Sequence, residues 1–305
     1  MWAWGLLTCA LAACQSVGPT PALMASSVGA SRQVTFSPYN DFAPAWTRDG
    51  RSLVYVSDQQ GGWNLWSVDL SAPTPRALTS GRFQYSNPFL TADGRWIVVS
   101  SDSGSATPLW PDLWMLSLDG AQQQRLISIT PSVNEFFPTI SPDGRWLTYL
   151  DAPMDRSPKY RLILVELPAG LPRVLTEDRV AFSPVRFSPD SRSIIYTADT
   201  LGSNDVWTIG INGAGARALT SRSDNEVVGD YSPDGNSIVF TSNQSGTNEL
   251  WIMNAQGLGA RQLTHDLATA SLPAYSPDGA HIAYTSTKSG NQDIWIIGSG
   301  AAQRE

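Results

Sequence analysis

One short pattern occurs six times along this chain of 305 residues. In its clearest copy, the turn Ser232-Pro233-Asp234-Gly235 is followed by the apolar run 238–240, then by Glu249-Leu250-Trp251, and finally by Arg261-Gln262-Leu263-Thr264. The turn aspartate recurs at steps of 44, 50, 47, 44 and 44 residues, as Asp49, Asp93, Asp143, Asp190, Asp234 and Asp278. A repeat of this length indicates an array of similar structural units. We number the units one to six by these aspartates.

The residues of one unit predict a small antiparallel sheet of four strands. Proline followed by Asp-Gly makes a tight reversal, as in 276–279. The β-branched and aromatic residues that follow, such as Ile282 and Tyr284, suit a pleated strand, and no 3.6-residue period is long enough for a helix. Sheets repeating every ~40–50 residues with a tryptophan signature are typical of propeller blades. The sequence therefore predicts an all-β fold, a six-bladed β-propeller of four-stranded antiparallel blades.

The two ends of the repeat region indicate how such a ring closes. The sixth unit ends after 294–297 without a Leu-Thr segment, whereas Arg32-Gln33-Val34-Thr35 resembles 261–264. Thr35 lies 14 residues before Asp49, which is also the interval between Thr264 and Asp278. We therefore expect the N-terminal segment to supply the last strand of blade six, and the propeller to occupy residues 32–305.

The N-terminal residues predict export and an anchor. Residues 1–13 are apolar and uncharged but too short to span a bilayer, which is typical of a signal peptide. Leu11-Ala12-Ala13-Cys14 resembles the lipobox of bacterial lipoproteins, which implies lipidation of Cys14, and Gln15 after it implies retention at the outer membrane. A plain secretory signal is the alternative. Residues 14–31 form an uncharged stretch rich in Ser, Ala, Gly and Pro, and we expect a flexible tether there.

Charge and cysteine content narrow the possible partners. The net charge is −7 and there is no basic run, so nucleic acid, whose phosphates require a basic face, is excluded as a partner. Both cysteines fall within the first fourteen residues, so no disulfide links parts of the propeller.

The repeats over residues 32–297 resemble those of the TolB-like propeller family, whose namesake is the periplasmic component of the Tol-Pal envelope system. The wider group that shares this repeat includes the propellers of prolyl-oligopeptidase-like enzymes. TolB carries an α/β domain before its propeller, whereas 31 residues precede the predicted ring here, so we expect a TolB-like propeller without that domain. The resemblance implies the fold, a periplasmic location and an envelope role.

Carboxylates recur two residues before the third-strand aromatic, and their repetition at one offset favours a structural role. We expect them to cap the entrance of the third strand; they are Asp112, Asp205, Glu249 and Asp293.

Departures from the repeat are better candidates for function. Extra residues occur in the second-to-third strand loops of units two and three and in the connection between these units, all on one face of the disc, and one-sided insertions usually mark a binding side. Around the channel mouth on that face we place Asp41, Tyr85, Glu135, Phe136, Glu226 and Asp230, with Arg186 deeper in. Trp110, Arg156 and Tyr160 form a candidate protein-contact rim, because Trp, Tyr and Arg anchor interfaces most often.

An acidic, partly aromatic mouth suits a basic or amide-rich peptide, or a hard divalent cation such as calcium. The alternative is that these are ordinary solvated loop carboxylates. Our leading hypothesis is a monomeric, non-enzymatic scaffold, tethered to the outer membrane, that binds an envelope protein or peptide without a cofactor other than calcium. A glycan- or calcium-binding module and a carbohydrate-active enzyme are the alternatives. The residues disfavour an enzyme, because neither His265 nor His281 is placed with a catalytic partner and there is no Gly-x-Ser-x-Gly elbow.

Overall fold

The computed structural model describes residues 30–102, 111–127, 133–153, 160–200 and 202–300. Within these ranges the chain forms 24 β-strands and no helix, and every strand pair is antiparallel. The fold is the predicted all-β propeller built from four-stranded antiparallel sheets.

Four units form separate four-stranded sheets. Unit one contains β2 (Asp41–Trp46), β3 (Ser52–Ser57), β4 (Asn64–Asp69) and β5 (Arg76–Ala77). Unit two contains β6 (Tyr85–Leu90), β7 (Trp96–Ser101), β8 (Asp112–Ser117) and β9 (Gln123–Ile127). Unit five contains β18 (Glu226–Tyr231), β19 (Ser237–Ser242), β20 (Glu249–Asn254) and β21 (Arg261–Gln262). Unit six contains β22 (Ala270–Tyr275), β23 (His281–Ser286) and β24 (Asp293–Gly298), together with β1 (Ser31–Gln33).

Units three and four differ from the prediction of separate sheets, because they are joined into one eight-stranded sheet. Unit three contributes β10 (Val133–Ile140), β11 (Trp146–Pro153), β12 (Tyr160–Glu166) and β13 (Arg173–Val180). Unit four contributes β14 (Arg186–Phe187), β15 (Ser193–Thr200), β16 (Ser203–Gly210) and β17 (Arg217–Ala218). The link is a single pair, Val180 with Ala198. It forms because β13 and β15 each run for eight residues, whereas β14 has only two and leaves part of β15 open to pairing.

The N-terminal strand lies beside the last strand of the chain. β1 pairs with β24 in the register Ser31–Ile297, Arg32–Ile296 and Gln33–Trp295. The Val34 amide also donates to the Ile294 carbonyl at 2.8 Å. These contacts place β1 at the position that β5 and β21 hold in their own sheets.

The turn aspartates act as the sequence predicts. In unit six, Asp278 Oδ1 accepts the Ser276 hydroxyl at 2.5 Å and the Ala280 amide at 3.0 Å, and Gly279 adopts φ +71°. In unit four, Ser191 stands in the place of this glycine at φ 61°. Each aspartate therefore fixes the reversal between the first two strands of its unit.

The first strands of successive units contact one another in chain order, and β22 contacts β2. The core consists of apolar seams between neighbouring sheets; one such seam contains Trp46, Leu53 and Tyr55 of unit one with Ala283 and Ile294 of unit six. Backbone contacts bring the connections between units against the second-to-third strand loops, as in the bonds from Asp41 to Gln292 and from Tyr85 to Trp63. We call the side that these segments share the connection face. The opposite side, which carries the aspartate turns, is the turn face.

Candidate functional site

Three of the four repeated third-strand acids, Asp205, Glu249 and Asp293, cap the strand entrance, which confirms their predicted structural role. Asp205 Oδ1 and Asp293 Oδ1 each accept a threonine hydroxyl at 3.0 Å, from Thr220 and Thr35 respectively. The same two hydroxyls each accept the backbone amide that follows the acid, at 2.9 Å. Glu249 is bonded to Thr264 in the same way. Carboxylates held in this manner belong to the framework rather than to an open site.

The structure places the predicted mouth carboxylates inside the molecule. Asp41, Glu135 and Glu226 are 1%, 2% and 1% exposed; Asp41 and Glu226 begin the first strand of their units, and Glu135 is the third residue of β10. Their burial means that a protein docked on the surface does not reach these carboxylates directly, so they form neither the acidic mouth expected from the sequence nor the solvated loop carboxylates of the alternative. Their part in binding stays a prediction.

Asp41 lies in the seam between units six and one. The Ser37 hydroxyl donates to its Oδ2 at 3.1 Å. Burial raises the pKa of Asp41, and the nearby Asp293 carboxylate raises it further, while hydroxyls of Ser57, Ser37 and Thr35 oppose the shift. The arrangement is a network of hydroxyls around two neighbouring carboxylates.

Glu226 lies in the corresponding seam between units four and five, with fewer hydrogen-bond donors. The Ser242 hydroxyl donates to its Oε1 at 3.0 Å, whereas Oε2 has no hydrogen-bond partner among the described residues. Burial raises the pKa of Glu226 to about 7; Ser242 opposes this shift, and Asp205 adds to it.

Asp230 and Arg186 come from neighbouring units and meet at the centre of the ring. Asp230 Oδ1 lies 3.9 Å from Arg186 Nε, and its two oxygens accept the amides of Tyr231 at 2.9 Å and Tyr275 at 3.0 Å. Burial raises the pKa of Asp230 to about 6, against the opposing effect of Arg186. Burial also lowers the pKa of Arg186, whose guanidinium lies 5.6 Å from the Phe89 ring centre.

These two charged residues line a central cavity of about 180 Å³. Its walls come from the first strands and the aspartate turns, so it lies toward the turn face; they include Trp46, Phe89, Ala274 and Pro277. In units one, two, five and six, a β-bulge precedes the residue that lines this cavity, as between Val228 and Asp230. The structure thus separates Asp230 and Arg186, in the channel, from the seam carboxylates.

The predicted aromatic residues occupy two different environments. Tyr85 is buried between units one and two. Phe136 and Tyr160 instead surround Phe182, with ring centres 4.9 Å and 5.2 Å from it, and Phe182 is 50% exposed on the connection face. The other predicted residues, Trp110, Arg156 and Cys14, lie outside the described residues.

Sequence reasoning missed a group of exposed aromatic side chains on the connection face. Phe36 is 72% exposed, Tyr39 45%, and both Trp63 and Phe83 44%. They lie in the loop of unit one and in the connections on either side of it, and Trp63 packs edge to face on Phe42 with ring centres 5.4 Å apart. The sequence could have indicated these residues, because each is a large aromatic residue in a predicted loop on the face that carries the insertions.

The described residues contain no group of three or more His, Cys, Asp or Glu side chains that could hold a metal ion. They likewise contain no helix with the length and hydropathy needed to cross a bilayer. His281 is half-buried, and burial lowers its pKa.

Comparison with known proteins places these features in a family context. The family model described as the TolB beta propeller domain matches residues 22–167, 111–257 and 173–305. The uncharacterized peptidase YuxL of Bacillus subtilis is 25% identical over 164 residues, which are 53% of this chain and 22% of that protein. The Tol-Pal system protein TolB of Anaeromyxobacter dehalogenans is 32% identical over 101 residues, which are 33% of this chain and 22% of that protein.

The chain thus spans about a fifth of the length of these two relatives. Among solved structures, the putative TolB from Agrobacterium tumefaciens superimposes with a TM-score of 0.68 at 18% identity, covering 88% of this chain and 93% of that one. At this identity the likeness concerns the fold.

Proposed function

The chain belongs to the TolB beta propeller domain family, and from this membership and the exposed aromatic residues we propose that it is a non-enzymatic scaffold of the cell envelope that binds a protein or peptide. In this proposal the eight-stranded sheet counts as two blades, so that the ring has six, and β1 closes it. Residues 1–13 direct export, Cys14 carries the lipid anchor, and the propeller stands in the periplasm. The named relatives of the Tol-Pal system support this placement.

The observation that carries the proposal is the one-sided distribution of exposed aromatic side chains. Phe36, Tyr39, Trp63, Phe83 and Phe182 all lie on the connection face. Tryptophan and tyrosine combine a large apolar area with few rotatable bonds, so they anchor protein interfaces. Large exposed apolar side chains concentrated on one face mark an interaction site more often than single ones scattered over the whole surface do.

Photo-crosslinking in cells tests which face is used. A photoreactive phenylalanine analogue at Tyr39 samples the connection face, and the same analogue at Leu171, which is 84% exposed on the turn face, is the matched control. We expect a discrete protein adduct from position 39 and none of that mass from position 171. Equal adducts at both positions, or none at position 39, contradict the proposal.

The partner identified by that adduct is then purified and titrated against variants. Anchor residues at an interface contribute about 2 kcal/mol or more, so Trp63→Ala with Phe83→Ala should weaken binding at least ~30-fold. Leu171→Ala should leave it unchanged. Turnover of envelope polysaccharides or peptides by the purified protein would instead favour the enzyme alternative, and a heat of calcium binding would favour the ion-binding one.

A further inference from the structure

A crevice of about 340 Å³ lies in the seam between units four and five, remote from the aromatic residues of unit one. We call it the seam crevice; it is lined by 219–222 of unit four and by Glu226, Phe240, Gln244 and 257–260 of unit five. Its walls therefore combine an acid, an aromatic ring and the backbone of a glycine-rich turn.

One polar side chain of the crevice has an oxygen that lacks a hydrogen-bond partner. Glu226 is 1% exposed and lines the crevice, and its Oε2 has no hydrogen-bond partner among the described residues. A buried carboxylate oxygen without a donor is costly, and natural proteins rarely keep one without a bound group to satisfy it. Glu226, which carries this unsatisfied oxygen, lines a space large enough for a small molecule.

The charges around Glu226 are predominantly negative. Asp205 and Asp224 both act on it, and Arg222 is the opposing cation. The Arg222 guanidinium donates to Gln244 Oε1, so it is engaged at the edge of the crevice. A positively charged group placed at Glu226 is therefore attracted by three carboxylates and repelled by one guanidinium.

The repeat shows how unit five differs from its neighbours. At the position of Phe240, units one, three, four and six carry Tyr55, Tyr149, Tyr196 and Tyr284. Phe240 is 1% exposed and leaves the wall beside Glu226 apolar, without a phenol hydroxyl. An apolar aromatic wall next to a carboxylate suits an ammonium group on a short alkyl chain, because the ring face also attracts a cation.

We propose that the seam crevice is a binding site for a small primary alkylamine, whose ammonium group pairs with Glu226 while its alkyl chain packs on Phe240. The site is independent of the protein-binding function proposed above. An ammonium has three N–H donors and supplies the hydrogen bond that Oε2 lacks.

Calorimetry with n-butylammonium chloride tests the site on the whole protein. Glu226→Gln keeps the size of the side chain and removes its charge, and Glu166→Gln, at an exposed ion pair with Arg145, makes the same change elsewhere. A charge-assisted hydrogen bond contributes about 1.5–3 kcal/mol, so Glu226→Gln should weaken binding at least ~10-fold. Glu166→Gln should bind as the wild type does.

Two further measurements do not depend on the stability of that variant. n-Butanol, which has the same chain without the charge, should not compete with n-butylammonium. Phe240→Tyr restores the residue that four other units carry, and its added hydroxyl should narrow the crevice and weaken binding. Binding to wild type should strengthen as the pH rises through about 7, because the amine favours the ionised Glu226.

The proposal is overturned if n-butylammonium does not bind at millimolar concentrations, if n-butanol binds equally well, or if a folded Glu226→Gln variant retains wild-type affinity. Binding of calcium chloride in place of the amine would also overturn it.

Discussion

At the scale of single residues, Glu226 links folding to pH. An acid whose pKa is raised in the folded state binds its proton more tightly there than in the unfolded chain. For Glu226 the pKa rises from 4.5 to about 7, so the folded state is favoured below this range and loses stability as the pH increases through it. Asp230, with a pKa raised from 3.8 to about 6, acts in the same direction.

We therefore expect Glu226→Gln to flatten the pH dependence of stability. In urea titrations between about pH 5 and pH 8, the free energy of unfolding of the wild type should fall, and that of the variant should fall less. Glu166→Gln should follow the wild type, because that carboxylate is exposed and its ion pair contributes little. Parallel curves for Glu226→Gln and wild type would contradict the burial of an ionisable group at this position.

The residue types of the candidate site could be read from the sequence, but the direction of each side chain could not. Strand residues alternate between two faces, so an acid at a strand start points either into a seam or toward the axis. The bulges in the first strands shift this alternation by one residue, as between Phe42 and Ala45. The sequence predicts Asp41 and Glu226 at an open mouth because it places them just before the first strands, whereas the structure makes them the first residues of those strands and buries them. Asp230, beyond the bulge in its strand, does line the channel.

At the scale of strands and turns, neighbouring units touch through glycine. The turn between the third and fourth strands of unit five packs against the fourth strand of unit four. A Cβ on Gly257 would lie 2.4 Å from the Leu219 carbonyl oxygen, whereas a Cβ on Gly259, in the same turn, would meet nothing within 4 Å. Both glycines have positive φ, of +90° and +68°.

The pair separates two costs of replacing glycine by alanine. Gly259→Ala should cost about 1 kcal/mol, the usual penalty of a left-handed conformation for a residue with a side chain. Gly257→Ala carries a similar penalty and also forces two backbones apart, so we expect a total loss of about 3 kcal/mol or more. Chemical denaturation of both variants measures the difference. Equal losses would mean that units four and five do not pack this closely in solution.

Strand existence was predictable because every unit repeats the same turn chemistry, and tight turns fix which strands are neighbours. The junction of units three and four was not, because it depends on one extra strand pair, Val180 with Ala198. Pairing of that kind reflects how far β13 and β15 extend, and strand length depends on neighbouring sheets as well as on local residue types.

At the scale of the whole molecule, the contacts that join β1 to β24 are the same as those within the sheet of unit five. Thr264 bonds to Glu249, 15 residues away, and its hydroxyl accepts the Leu250 amide. The Thr35 hydroxyl donates to Asp293, 258 residues away, and accepts the Ile294 amide, 259 residues away. Thr35 and Thr264 are 2% and 3% exposed.

If β1 closes the ring in solution, replacing Thr35, whose partner is distant in sequence, should lower the free energy of unfolding as much as replacing Thr264, whose partner is near. Thr35→Val and Thr264→Val should each cost about 1–3 kcal/mol, because each leaves a buried carboxylate and an amide without their partner. Hydrogen exchange gives a second measure without mutation: the Val34 amide, bonded to Ile294, should be protected as strongly as the Leu263 amide, bonded to Leu250. If the ring were open at this seam, Val34 would exchange quickly and Thr35→Val would leave stability unchanged. The two sides of this seam would then be free to separate, so the proposed closure by β1 predicts that the propeller unfolds as a single cooperative unit.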